Sequence, residues 1–177
     1  MDIAFLVTSF VTLFVIIDPI GLTPLFVALT QGMSDAQRRR IAFRAIVTGF
    51  GILCVFTLFG EAVLAFAGIS MPAFRIAGGI LLFLTALDML FERRSKRRPD
   101  SSDEETHDDP SIFPIAIPLI AGPGAITTVI LVSGAHPGWV GIGETLLVVS
   151  TVLVIVAGFF ALGAPLERAL GKTGINV

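Results

Sequence analysis

The residues Asp18-Pro19-Ile20-Gly21-Leu22-Thr23-Pro24 lie in the middle of a hydrophobic run from Ile3 to Thr30. Without them that run would be long enough to cross a bilayer, which takes about 20 apolar residues. A carboxylate, two prolines and a glycine inside it interrupt a helix at membrane depth, an arrangement tolerated where the freed backbone lines a protein cavity. A second interruption of similar design, Gly122-Pro123-Gly124-Ala125-Ile126-Thr127-Thr128, follows roughly a hundred residues later. Two breaks at corresponding places are the sequence's best pointer to a binding site.

The composition sets the class. Of 177 residues, 54% are hydrophobic and 15% charged, with a mean hydropathy of +0.90, far more apolar than an ordinary soluble domain. The basic residues form short clusters at span ends and carry no interleaved aromatics, so nucleic acid is not an expected partner. Cys54 is alone, which leaves no intrachain disulfide, thiolate zinc site or paired-cysteine redox motif. Met1-Asp2-Ile3 lacks the basic start of a secretory signal, and the run that follows is too long for a signal core, so the first span is expected to be retained.

Apolar windows pick out five spans, near 3–30 (broken), 45–67, 72–91, 112–133 (broken) and 142–164. The chain therefore divides into a first three-helix repeat over 1–91, a charged linker over 92–111 and a second, incomplete repeat over 112–177. Arg38, Arg39, Arg40 and Arg44 follow span one, Arg93, Arg94, Lys96, Arg97 and Arg98 follow span three, and Arg168 and Lys172 follow span five. Excess positive charge marks the cytoplasmic side. This places the N-terminus outside and linker 92–111 in the cytoplasm, as a solvated and disordered segment. Three spans before the linker make the second half enter in the opposite sense, the arithmetic of an inverted repeat. Setting Pro19 against Pro123 places Gly21 opposite Ala125 and Thr23 opposite Thr127.

Asp18 before Pro19 is a favourable helix start, since the carboxylate can cap free N–H groups and proline at the first position loses nothing. Gly122 before Pro123 can play the same part. Two half-helices would then point their positive dipole ends at one midplane cavity. Unpaired N–H donors there suit an anionic group such as a carboxylate. Asp18, costly at this depth, calls for an ammonium, a coupling cation (sodium) or a proton. Together they frame a zwitterion. The competing reading is structural: Asp18 caps only its own half-helix, and Thr23, Thr127 and Thr128 satisfy backbone opened by proline. Span three adds Arg75, Gly78 and Gly79. The two glycines leave room for a broken helix to approach, while Arg75 either pairs with Glu61, snorkels, or reaches a substrate carboxylate. Asp88 is expected at the cytoplasmic interface and Trp139 as an external anchor.

At these residues the chain resembles the MarC family of bacterial inner-membrane proteins. The resemblance rests on Ile17-Asp18-Pro19-Ile20-Gly21 with Pro24-Leu25-Phe26, on Phe74-Arg75-Ile76-Ala77-Gly78-Gly79-Ile80-Leu81-Leu82, and on the stretch from Phe113-Pro114 through Gly122-Pro123-Gly124 to Thr127-Thr128. It covers nearly the whole chain. It implies an all-α, polytopic bundle of two inverted three-helix repeats, suspected of moving neutral amino acids or related solutes. The sixth span would follow Thr173, so the chain is expected to be a fragment, the alternative being that a partner chain supplies that wall.

The leading expectation is a secondary transporter working by alternating access, with substrate held by Asp18, Pro19, Gly21, Thr23, Gly122, Pro123, Gly124, Thr127, Thr128, Arg75, Gly78 and Gly79. A channel would share the breaks, and a non-transporting scaffold would need only their structure. No enzyme is expected: Asp18 and Asp88 are poorly placed for a dyad, and no Walker, nucleophile-elbow or His-Glu-x-x-His motif is present. No resident cofactor or metal is expected. Ala157 and Ala161 suit helix packing within the chain or between copies, which leaves a homo-oligomer open.

Overall fold

The computed structural model describes residues 3–91, 110–136 and 138–170, with the side chains of 88–89 and 164–170 left aside. Among these residues every regular element is helical: α1 (Ile3–Ile17), α2 (Pro19–Leu29), α3 (Asp35–Phe66), α4 (Met71–Leu90), an irregular helical segment (Ser111–Ile120), α5 (Pro123–Ser133) and α6 (Trp139–Leu170). α1 and α2 run on as one apolar span of 27 residues, and α3 and α6 are each long and apolar enough to cross a membrane. The expected linker over 92–111 lies almost wholly outside the described residues, as do Lys172 and the side chains of Asp88 and Arg168.

The helices begin and end where local chemistry dictates. α3 starts at Asp35, ten residues before the apolar window, because Ser34 and Gln37 form a capping box: Gln37 N–H donates to Ser34 Oγ (3.3 Å), and Ser34 N–H donates to Gln37 Oε1 (2.9 Å). A hydropathy window finds the stretch that crosses lipid; the cap finds the helix. α3 ends at Phe66 with Ala67 as its C-cap, and Gly68 then takes a φ of 71° and turns the chain toward α4. The Arg38 guanidinium Nε donates to the Thr30 carbonyl and ties the α2–α3 turn to the first turns of α3.

The two interruptions differ in form. At the first, Asp18 is the only non-glycine residue with positive φ among those described (53°), yet Asp18 N–H still bonds to Phe14 O and Leu22 N–H to Asp18 O, so the span continues. At the second, the Ser111–Ile120 segment meets α5 at 52°. The sequence suggested matched breaks. The difference arises from Pro114 and Pro118, which push Phe113 and Ile117 into extended backbone (φ −123° and −126°) and widen the turns. The Phe113–Pro114 and Ile117–Pro118 bonds are cis.

Packing is organised by size more than by polarity, as expected where the outer face is also apolar. α3 buries a single stripe, Ile41, Ala45, Gly49, Leu53, Thr57, Gly60 and Leu64, and turns Phe43, Val47, Phe59 and Val63 outward. Gly49 admits Ile120 of the irregular segment and Gly60 admits Ile130 of α5. α6 is the central rod. Its Val148, Val149, Val152, Leu153, Val156 and Phe160 join Leu13, Ile17, Leu22, Phe26 and Leu53 in one core. Phe160 stacks on Phe26 of α2 with centroids 4.2 Å apart.

Candidate functional site

The two helix starts lie side by side. A Cβ placed on Gly124, at the beginning of α5, would come 3.1 Å from Ile16 at the end of α1. At the other end of the same two elements, the Phe5 and His136 rings stand 4.1 Å apart. α1 and α5 are therefore antiparallel neighbours, and the start of α2 falls beside the start of α5. Each of these two helices has 11 residues, about 16 Å, half the thickness of a hydrocarbon core.

Asp18 is half-buried and caps α2: its Oδ1 accepts the Gly21 N–H at 3.0 Å. Short polar side chains tolerate the left-handed conformation best, so Asp18 both forms the break and satisfies it. Its carboxylate lies directly over Gly21, where any Cβ would collide with it. Pro19 is buried, whereas Ile20 and Gly21 face outward, so the described residues do not enclose the carboxylate. α5 starts differently. Gly122 offers no side-chain cap, and Pro123 follows it in the first turn. The dipole end of α5 is thus left without a side-chain acceptor, and it is the one suited to an anion.

The threonines divide. Thr23 Oγ1 donates to Pro19 O and Thr128 Oγ1 to Gly124 O, each at 2.8 Å, so both close on their own helices. Thr127 is buried, and its hydroxyl makes no hydrogen bond among the described residues; its methyl faces Gly78 of α4, where a Cβ would come within 2.6 Å. Gly78 is thus the point at which α4 meets α5. Gly79 is exposed, with nothing within 4 Å of an added Cβ. A Cβ on Gly122 would run into the Pro118 carbonyl oxygen, which makes that glycine a requirement of the bend.

Arg75 is exposed on α4 and forms no ion pair with Glu61 among the described residues. The Glu61 carboxylate instead lies beside Gly134 at the end of α5. Sequence reasoning passed over Glu144, a carboxyl 5% exposed in α6. Its Oε2 lies 2.9 Å from His136 Nδ1 in the α5–α6 turn. An ionisable residue two turns or less inside an apolar helix was the signal that would have found it.

The sequence profile of MarC family integral membrane proteins matches residues 3–177. Among individual relatives, a UPF0056 membrane protein of Archaeoglobus fulgidus is 42% identical, with all of this chain and 86% of that protein covered. UPF0056 membrane protein MJ0972 of Methanocaldococcus jannaschii is 39% identical over 99% of this chain and 79% of its own length. UPF0056 membrane protein YvbG of Bacillus subtilis is 35% identical over all of this chain and 86% of its own. No solved structure matches. With a multi-pass apolar helix bundle and a family match along nearly its whole length, the chain belongs to the MarC family of integral membrane proteins.

Proposed function

We propose that the protein is a secondary transporter of small zwitterionic solutes, neutral amino acids foremost, working by alternating access between two inverted repeats in a bacterial inner membrane. The observation that carries this reading is the apposition of the α2 and α5 starts across Ile16 and Gly124. The uncapped N-terminus of α5 would receive the solute carboxylate, and Asp18 would receive its ammonium or a coupling sodium or proton. No cofactor and no enzymatic step are part of the reading. The N-terminus and the α3–α4 turn would face outward, and residues 92–111 the cytoplasm.

The packing supports the repeat. α1 runs antiparallel to α5, and the glycine contacts come in related pairs. Gly60 of α3 receives Ile130 of α5, while Gly163 of α6 receives Val27 of α2, with Thr23 and Phe26 beside it. Aligning Pro19 with Pro123 puts Phe26 opposite Ile130. α3 and α6 are thus used alike by the two short helices.

A non-transporting membrane scaffold is the second reading, favoured by the way Asp18, Thr23 and Thr128 satisfy their own helices. Asp18→Asn separates the two, because asparagine also tolerates positive φ and can cap the helix but carries no charge. Flux of labelled neutral amino acids into proteoliposomes, with sodium and proton gradients imposed separately, is the assay. Transport predicts saturable, gradient-dependent uptake that Asp18→Asn reduces at least about tenfold, as loss of one charge-assisted contact would. Non-saturable conductance would identify a channel, and absence of flux across the panel would favour the scaffold.

A further inference from the structure

We propose that Glu144 and His136 form a proton-binding site that latches the α5–α6 turn to the bundle. The pair lies away from the two helix starts, since Phe5, which packs on His136, precedes Ile16 by 11 residues, about 16 Å along α1. Three elements meet there: α1 through Phe5, the turn through His136 and α6 through Glu144. The His136 side chain is 40% exposed and that of Glu144 only 4%. Water therefore reaches the pair from the imidazole side.

The surrounding charges are few. α1, α2 and α5 carry no ionisable side chain. From α3 comes Glu61, whose Oε1 lies beside Gly134, and from α4 comes the exposed Arg75; neither forms an ion pair with His136 or Glu144 among the described residues. Glu144 thus depends on one partner for its charge. A buried carboxylate is held by a charge-assisted hydrogen bond from an imidazole N–H and loses much of that attraction when neutralised. With His136 neutral and its Nδ1–H donated to the Glu144 carboxylate, one proton taken from water onto that carboxylate converts the charge-assisted bond to a neutral one and leaves the imidazole neutral. His136 then turns outward, Phe5 loses its ring partner, and the turn that carries Trp139 is released.

The test needs neither solute nor flux, so it can fail while the transport reading stands, and the reverse. Trp139 is the single tryptophan of the chain and lies three residues from His136. In liposomes of the full chain, infrared difference spectra between about pH 8 and pH 5 should show a protonated-carboxyl band that Glu144→Gln removes. Acrylamide quenching of Trp139 should rise about twofold at the acid end in the unmodified protein, as local opening exposes the turn. It should remain at the raised level at both pH values in His136→Gln and Glu144→Gln. A band that survives in Glu144→Gln, equal quenching at both pH values in the unmodified protein, or wild-type pH dependence in His136→Gln would each overturn the proposal.

Discussion

Gly78 and Gly79 are neighbours on α4, but only Gly78 touches another helix. A Cβ on Gly78 would lie 2.6 Å from Thr127 Cγ2, about 0.8 Å short of ordinary contact. Thr127 is buried and β-branched, so it has little freedom to rotate away, and Leu131 Cδ1 stands just behind at 3.5 Å. Overpacking of this kind costs about 1–3 kcal/mol. Both alanine substitutions also remove a helical glycine, which favours the folded helix by up to about 1 kcal/mol at either position. That common gain cancels in the comparison. Gly78→Ala should therefore be less stable than Gly79→Ala by about 1–3 kcal/mol in reversible SDS unfolding from mixed micelles. Shortening the opposing side chain by Thr127→Ser should recover part of the loss, giving a coupling of about 0.5 kcal/mol or more in a double-mutant cycle. Equal stabilities for the two alanine variants, or no coupling to residue 127, would refute the packing of α4 on α5.

The same logic extends to the two long helices. Gly60→Val and Gly163→Val, which meet Ile130 and Val27 respectively, should each destabilise by about 1–3 kcal/mol. Gly51→Val and Gly158→Val, with nothing within 4 Å of the added Cβ, should have much smaller effects in the same unfolding assay. Ser34→Ala should remove the capping box at a cost of about 0.5–2 kcal/mol, seen as faster amide exchange over 35–38 with the rest of α3 unchanged.

Features set by adjacent residues were legible in the sequence. Asp18-Pro19 and Gly122-Pro123 start helices because proline fixes φ and lacks a donor, whatever surrounds it. The Ser34…Gln37 spacing was equally legible as a capping box but fell outside the apolar window used to delimit span two. Features that depend on distant contacts were not legible. Nothing in the sequence distinguishes Gly78 from Gly79, since the distinction lies in where Thr127 arrives. The partnership of Glu144 with His136 likewise requires the turn between α5 and α6 to fold back. Arg75 and Glu61, neighbours by span position, sit on faces that do not meet as an ion pair. An interruption at Gly122-Pro123 was legible, and the chain bends there by 52°, but the irregular backbone that Pro114 and Pro118 impose from Ser111 to Ile120 was not read from the sequence.

The account depends on α2 and α5 starting side by side from antiparallel elements. In a Cys54→Ser background, Ile16→Cys paired with Gly124→Cys should cross-link readily in native membranes, because a Cβ at 124 already lies 3.1 Å from the Ile16 side chain and disulfides need Cβ atoms about 3.5–4.5 Å apart. The account predicts a 16–124 disulfide and none between cysteines at 5 and 124. A 5–124 bond without a 16–124 bond, or failure of 16–124 to form in folded protein, would contradict it.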